Sequence, residues 1–194
     1  LRPGLVVTSP LRRATDTAQT LCAGMELPGP HVVWRLAERD YGCLTGLSKA
    51  ECRRRYGEKA FFTWRRTIDG KPPAATPEQV ASWGKLASGD VRPLTPGMSE
   101  SLREVIARVE PLWRDLRGVL HHTDVLVVGH GNSLRALCTL IDELSDEEVE
   151  RLNIPAGHPL RYDFGAGGRV VFRGYLDPVM AHADAAKVAA EGGT

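Results

Sequence analysis

The chain has 194 residues, of which 42% are hydrophobic and 25% are charged, enough for one globular domain with its own core. Its 25 basic and 24 acidic side chains leave a formal net charge of +1, which excludes a strongly basic nucleic-acid-binding protein and an acidic tail. No apolar run approaches the roughly 18 residues of a membrane span, so we expect neither a nucleic acid nor a membrane as partner.

The start of the chain and its cysteines favour a cytoplasmic protein. Residues 1–10 contain no hydrophobic stretch that ends in a small-residue cleavage site, so we expect no signal peptide. The four cysteines are far apart and form no C-x-x-C pair, which argues against a zinc site. We expect Cys22, Cys43, Cys52 and Cys138 to be buried free thiols in a reducing cytosol.

Short β-rich runs alternate with longer helical patterns, which favours an α/β fold with a mostly parallel sheet. The first half predicts strands at 5–7 and 32–34 and helices at 11–25, 48–56 and 58–66. Residues 71–97 are rich in Pro, Ala, Ser and Gly, and we interpret them as a long surface segment that could act as a lid.

The second half continues the same alternation. An amphipathic helix at 99–117 precedes the apolar run at 124–128, which is the strongest candidate for a central strand. The remaining predicted elements are helices at 132–144, 145–152 and 179–190 and strands at 160–164 and 169–172. We expect residues 1–194 to form a single domain.

The sharpest local motif is the stretch VVGHGNSLRA at residues 127–136, where a buried strand ends at His130 and a helix begins at once. Ligands of open parallel sheets bind at the carboxyl ends of strands, and a helix N-terminus there attracts an anion. Gly129 and Gly131 would let a ligand approach the backbone closely. The alternative is a histidine whose hydrogen bonds are satisfied at a strand end.

A second junction of a strand with a helix, VVTSPLRRA at residues 6–14, carries two arginines. A guanidinium matches the geometry of a phosphate, so Arg13 is a candidate anion ligand. The alternative is that both arginines are solvated, and we favour this interpretation for Arg12.

Positive charge is concentrated in residues 35–66, where nine Lys or Arg side chains accompany only four acids. This concentration favours a compact polyanion as partner. Arg65, beside Trp64, is a suggestive ligand, whereas Arg53, Arg54 and Arg55 are expected on a solvated helix face. Glu38 could donate and accept protons, or it could simply pair with a neighbouring arginine.

Six acidic residues lie between positions 142 and 150. Their spacing lacks the pattern of a calcium-binding EF-hand loop, so we interpret them as a solvated helix face. The other histidines show no ligand spacing either, and we expect no metal site.

Five segments together resemble the 2,3-bisphosphoglycerate-dependent phosphoglycerate mutases of the histidine phosphatase superfamily. They are TSPLRRATDTA (8–18), WRLAERDYGCLTGLSKAE (34–51), YGEKAFFTWRR (56–66), GHGNSLRAL (129–137) and LSDEEVERLNIPAGHPLRYDF (144–164). The resemblance implies a three-layer α/β/α fold and the interconversion of 3-phosphoglycerate and 2-phosphoglycerate in glycolysis and gluconeogenesis. It further implies a phosphohistidine primed by 2,3-bisphosphoglycerate, without a metal, and assemblies that are often dimers or tetramers.

The resemblance also implies roles for individual residues. Arg13 would bind the transferring phosphoryl group, His130 would stabilise its charge, and Glu38 would be the general acid and base. Asn132 and Gly131 would belong to the phosphate pocket. The remaining substrate carboxylate and phosphate would be held by Arg39, Tyr41, Lys49, Arg65 and Arg66.

The sequence departs from the family pattern in ways that affect its expected activity. The Arg-His-Gly motif that carries the nucleophilic histidine does not occur, and with it the first strand is missing. We therefore expect an N-terminally truncated domain that is inactive by itself. Ala37 and Asp40 replace a usual Asn and His, and residues 74–97 differ from the usual lid. The alternatives to a mutase are a phosphatase that hydrolyses small phosphate esters and a non-catalytic remnant that binds anions.

Overall fold

The computed structural model describes residues 2–83 and 97–190, and a small parallel sheet lies at the centre of the fold. The strands β1 (Leu5–Thr8), β2 (His31–Val32) and β3 (Val125–Val128) are ordered β2-β1-β3, and all are parallel. The eight helices of the described residues are α1 (Arg12–Met25), α2 (Lys49–Tyr56), α3 (Glu58–Arg66), α4 (Pro77–Ser82), α5 (Leu102–Val119), α6 (Gly131–Asp142), α7 (Asp146–Arg151) and α8 (Pro178–Ala190).

Helices cover both faces of this sheet because successive side chains of a strand point to opposite sides. Val7 of β1 packs with Leu112 and Leu116 of α5. The preceding residue, Val6, packs with Ala18 and Cys22 of α1 on the other face. The predicted α/β architecture with a mostly parallel sheet between helical layers is therefore confirmed.

A separate antiparallel hairpin is formed by β4 (Leu160–Phe164) and β5 (Val170–Tyr175). Side chains attach it to the helices: Tyr162 Oη donates to Asp142 Oδ2 of α6 at 2.7 Å, and Arg173 Nε donates to Tyr162 Oη at 2.9 Å. Burial raises the pKa of Tyr162, so the phenol stays protonated and can act as the donor.

The structure corrects the prediction that residues 124–128 are a central strand. Among the described strands β3 pairs only with β1, and β1 occupies the centre. Helices cover both faces of β3, which requires an apolar run whether or not both edges are paired, so the run alone does not fix the place of β3 in the sheet. The second strand is also shorter than predicted, because Trp34 already starts a 3-10 turn.

The segment at 71–97 contains α4, whose N-terminus has a complete capping box between Thr76 and Gln79. The rest of the predicted lid, residues 84–96, lies outside the described residues. All four cysteines are buried free thiols, as predicted. Within residues 2–83 and 97–190, none of the helices has the length and apolar character needed to cross a membrane.

Candidate active site

The two strand–helix junctions, at residues 6–14 and 127–136, lie side by side. Thr8 at the end of β1 is paired with Val128 at the end of β3, so the loops that lead into α1 and α6 leave the same edge of the sheet. Ser9 Oγ lies 2.6 Å from Nε2 of His130, and both side chains are buried. The parallel sheet thereby joins the two segments that carry Arg13 and His130.

His130 is the residue that caps the N-terminus of α6. Its backbone N–H donates to Ser133 Oγ at 3.1 Å, while its carbonyl accepts from Leu134 N at 2.8 Å. A Cβ on the preceding residue, Gly129, would lie 3.2 Å from Ser133 Oγ and 3.3 Å from Leu134, which is closer than ordinary contact. Glycine therefore lets the strand turn directly into a helix whose N-terminus can attract an anion.

A pocket of about 280 Å³ opens beside these junctions. It is lined by six of the side chains that the sequence analysis proposed for the site, namely Arg13, Glu38, Arg39, Tyr41, Lys49 and Arg65. Among the described residues of the lining, Asp40 is the only other charged one, so four cations accompany two carboxylates there. This excess of positive charge suits a small polyanion.

Arg39 is only 2% exposed, and most of its donors hold the polypeptide around the pocket. Nε donates to the carbonyl of Glu100 at 2.7 Å, and Nη2 donates to those of Trp64 at 2.7 Å and Gly70 at 2.6 Å. Nη1 is buried without a hydrogen-bond partner in the described residues. Burial lowers the pKa of Arg39. Nη1 is therefore the atom that this residue can offer to a ligand.

Tyr41 connects the pocket to α6. The guanidinium carbons of Arg39 and Arg65 lie 5.1 Å and 4.8 Å from the centre of its ring, which are cation–π distances. Its hydroxyl accepts a hydrogen bond from Nδ2 of Asn132 at 2.9 Å. Asn132 is fully buried and belongs, with Gly131, to the first turn of α6, so it reaches the pocket through Tyr41.

Glu38 is partly exposed at the mouth of the pocket. Its Oε1 accepts the backbone N–H of Arg39 at 2.7 Å, which holds the carboxylate beside the cationic lining. Arg13 is exposed and also lines the pocket. Arg12, in contrast, points to solvent and pairs with Asp16 at 3.3 Å, as expected from the sequence.

Arg66 does not line this pocket, although the sequence analysis placed it among the substrate ligands. Nη1 donates to Asn153 Oδ1 at 3.1 Å, and Nη2 donates to the carbonyl of Glu150 at 2.7 Å. Burial lowers the pKa of Arg66. The side chain joins α3 to the last turn of α7 and to Asn153 just after it.

A buried ion pair that was not predicted from the sequence supports the loop at residues 35–40. Arg108 Nε donates to Glu100 Oε1 at 2.8 Å, and both side chains are almost completely buried. Nη1 of Arg108 donates to the carbonyl of Arg35 at 2.7 Å, while Glu100 Oε2 accepts the N–H of Asp40 at 3.0 Å. Arg108 lies on the apolar side of α5, three residues after Val105. A charged residue at such a position indicates a buried ion pair, and this was the signal that the sequence offered.

No group of three or more His, Cys, Asp or Glu side chains in the described ranges is arranged to hold a metal ion.

Known proteins resemble this chain in sequence over nearly its whole length. The sequence model of the family "histidine phosphatase superfamily (branch 1)" matches residues 1–174. The chain is 43% identical to a 2,3-bisphosphoglycerate-dependent phosphoglycerate mutase of Mycobacterium tuberculosis (strain ATCC 25618 / H37Rv), with 99% of this chain and 79% of the relative covered. It is 41% identical to the enzyme of the same name from Rhodococcus opacus (strain B4), with 100% and 79% covered.

Solved structures share the fold at lower identity. A structure described as mycobacterial hydrolase 1 matches with a TM-score of 0.64 and 24% identity over 87% of this chain and 72% of the other. A mycobacterial glucosyl-3-phosphoglycerate phosphatase matches with a TM-score of 0.61 and 22% identity, over 89% and 76%.

Proposed function

Because the chain belongs to the 2,3-bisphosphoglycerate-dependent phosphoglycerate mutase family of the histidine phosphatase superfamily, we propose that its active form interconverts 3-phosphoglycerate and 2-phosphoglycerate through a phosphohistidine. The observation that carries the proposal is the pocket in which Arg13, Lys49 and Arg65 accompany Glu38, beside the junction that holds His130. A glycolytic role and a cytoplasmic location belong to the same proposal.

Each proposed role follows from the charge and position of a side chain. Phosphoryl transfer mainly requires positioning and neutralisation of charge. Arg13 binds the transferring phosphoryl group, and His130 with the backbone at Gly131 stabilises its charge at the N-terminus of α6. Glu38 exchanges a proton with the substrate hydroxyl at its partly exposed carboxylate.

The remaining anionic groups of the substrate are held by the other donors of the pocket, two of which lie against the ring of Tyr41. Lys49 and Arg65 provide charge in the pocket lining, and Nη1 of Arg39 provides a buried donor that lacks a partner among the described residues. Asn132 acts through its hydrogen bond to Tyr41. Arg66 contributes positive charge near Arg65, because its own Nη1 and Nη2 donate to Asn153 and Glu150.

The same residues fit 2,3-bisphosphoglycerate. Its two phosphates and its carboxylate match a lining with four cations, and the unpartnered Nη1 of Arg39 is a donor that such an anion would satisfy. When bound, this compound would supply the phosphoryl group that primes the enzyme. Arg13, Arg39, Lys49 and Arg65 would hold it.

We further propose that the nucleophilic histidine is carried by an additional strand that pairs with β3. Two observations support this. Among the described strands, β3 pairs only with β1, and β4 pairs only with β5, so each has an edge that could accept a neighbour. His158 is paired with Asp184 at 2.9 Å, and His182 packs on the ring of Tyr175, so neither lies in the pocket.

Turnover measurements test both parts of this proposal. The 194-residue chain is supplied with 3-phosphoglycerate and 2,3-bisphosphoglycerate, and formation of 2-phosphoglycerate is followed. We expect no turnover by this chain, and we expect turnover when it is extended by a segment that carries Arg-His-Gly. Turnover by the unextended chain would refute the proposed location of the nucleophile, and an extended protein that neither turns over nor becomes phosphorylated would refute the mutase function.

Hydrolysis of small phosphate esters is a second candidate function, and the fold shared with a phosphatase favours including it. The two reactions differ in whether water or a substrate hydroxyl receives the phosphoryl group. Asp40 adds a negative charge to the lining beside Arg39, which weakens the binding of a second anionic group. Comparing phosphate release with 2-phosphoglycerate formation by the extended protein separates the two. Binding of phosphoglycerate without any phosphoenzyme would instead identify a non-catalytic remnant.

The oligomeric state is also part of the proposal. We propose a homo-oligomer, and sedimentation of the chain over a range of concentrations tests it.

A further inference from the structure

A third buried arginine, Arg135, is linked to the pocket through Asn132 and Tyr41, and the proposed reaction does not yet use it. Arg135 of α6 is completely buried, and Nη2 donates to the carbonyl of Val149 at 2.7 Å. It has no carboxylate partner among the described residues. Burial, and then the charge of Arg66, lower the pKa of Arg135 to about 10, which leaves the side chain cationic at neutral pH. A buried cation without a counter-ion is costly, so its position requires an explanation.

The second contact of Arg135 fixes the orientation of an amide. Nη1 donates to Oδ1 of Asn132, three residues earlier on the same helix, at 3.3 Å. A guanidinium has only donors, so the oxygen of Asn132 must face it. The nitrogen must then face the opposite way, where Nδ2 donates to Tyr41 Oη at 2.9 Å.

The orientation of this amide decides what the hydroxyl of Tyr41 can do. A phenol has one hydrogen to donate. Because Tyr41 Oη accepts from Asn132, its own hydrogen is available to another acceptor. With the amide reversed, that hydrogen would be used by Oδ1 of Asn132, and the hydroxyl would present only lone pairs to an incoming anion.

We infer that Arg135 is a positioning residue, which holds the amide of Asn132 so that the hydroxyl of Tyr41 donates its hydrogen to an anionic oxygen in the pocket. The role depends on the proposed function above, because it requires the pocket to bind a phosphorylated metabolite. Arg135 does not itself touch that ligand. Its effect passes through Asn132 and Tyr41.

A double-mutant cycle on the 194-residue protein tests whether Arg135 acts through Asn132 and Tyr41. Binding of 2,3-bisphosphoglycerate is measured by isothermal titration calorimetry for the wild type, Arg135→Met, Tyr41→Phe and the double variant. We expect each single variant to weaken binding about tenfold, which corresponds to one hydrogen bond to a charged acceptor. The double variant should also lose about tenfold, because both changes remove the same hydrogen bond.

Two further variants separate positioning from charge. Arg135→Lys keeps a cation that has only donors, so we expect it to restore most of the affinity, within about threefold of the wild type. Arg151→Met removes an exposed cation of α7, which pairs with Glu147 at 3.5 Å, and we expect its small effect to be the same with and without Tyr41→Phe. If Arg135→Met does not fold by circular dichroism, Arg135→Gln replaces it, since its amide can accept from Asn132 and permit the reversed orientation.

Three outcomes would overturn the positioning role. The first is a double variant whose affinity for 2,3-bisphosphoglycerate falls about a hundredfold. The second is an Arg135→Lys variant that binds as weakly as Arg135→Met. The third is a wild-type chain that does not bind 2,3-bisphosphoglycerate. The first two are read from binding alone. They can therefore be told apart from failure of the proposed reaction, which is read from turnover by the extended protein.

Discussion

The hydroxyl of Ser9 lies 2.6 Å from Nε2 of His130, although 121 residues separate the two in the chain. The same oxygen accepts the backbone N–H of Leu11 at 3.0 Å. One buried hydroxyl therefore holds the imidazole of His130 against the loop that leads to Arg13. This contact adds a direct link between two segments that the pairing of Thr8 with Val128 already brings together.

Replacing Ser9 by Ala is expected to lower the free energy of unfolding by about 1–3 kcal/mol, because it leaves the buried N–H of Leu11 and the ring of His130 without this partner. Urea denaturation followed by tryptophan fluorescence measures the change. Thr20→Ala is the matched control, since it removes an exposed hydroxyl that bonds the carbonyl of Asp16 at 2.8 Å. Equal losses in the two variants would contradict the importance of the contact.

The pocket lining predicts how one helix contributes to binding. Lys49 at the start of α2 lines the pocket, whereas Arg54 on the same helix is 75% exposed and pairs with Glu51 only at 3.7 Å. Lys49→Met should weaken binding of 2,3-bisphosphoglycerate about tenfold or more, while Arg54→Met should change it less than about twofold. Calorimetric titration at low ionic strength measures both, and the difference should decrease as salt is added. Similar losses from both variants would show that only the net charge matters.

The ion pair between Arg108 and Glu100 should contribute much more to stability than an exposed pair on the same helix. Arg108→Met leaves the buried carboxylate of Glu100 without its partner and removes the donor to Arg35, so we expect a loss of about 3–5 kcal/mol. Arg114→Met breaks an exposed pair with Glu110 and should cost less than about 1 kcal/mol. Chemical denaturation of both variants gives the comparison, and comparable values would be evidence against a supporting role for the buried pair.

The N-terminal cap of α7 predicts a specific dependence of stability on pH. Hydrogen bonds from the backbone N–H and then the hydroxyl of Ser145 hold the pKa of Glu148 below its ordinary value of 4.5. A carboxyl whose pKa is lowered by folding stabilises the protein above that ordinary value, and the contribution is lost as the pH falls through the lowered pKa.

Glu148→Gln keeps an amide that can cap the helix but removes this titration. The difference in unfolding free energy between wild type and variant should therefore be larger at about pH 7 than at about pH 3. Glu147→Gln is the control, because Glu147 is exposed and, within the described part of the chain, pairs only with Arg151, at 3.5 Å. A difference that does not change with pH would contradict this assignment.

Much of the site could be predicted from the sequence because its residues occur in short local patterns. The glycines on both sides of His130 mark an abrupt change from strand to helix, and the structure has this change at Gly131. Ser145 and Glu148 likewise have the spacing of a capping box, which the structure contains in full. Ser48 and Glu51 have the same spacing, but there only the hydrogen bond from Glu51 N to the side chain of Ser48 forms, because the carboxylate of Glu51 pairs with Arg55 at 2.9 Å instead.

The features that could not be predicted depend on distant contacts. Arg39 and Arg66 both lie in the cationic segment, and both donate to backbone carbonyl groups in the structure. Nothing in the local sequence distinguishes an arginine that binds backbone from one that binds a ligand. Strand order is a similar case, since an apolar run such as Val125–Val128 reveals that both faces are covered but not which strands lie at its edges.

The parallel ladder between β1 and β3 has a consequence for biosynthesis. Leu5 pairs with Val125, so β1 leaves the ribosome long before its partner has been synthesised. Contacts between such distant segments form slowly, and an apolar strand without its neighbour is prone to aggregate. The anion-binding site therefore forms late in translation. A nascent chain that stalls before His130 carries the junction with Arg13 but not the junction with His130.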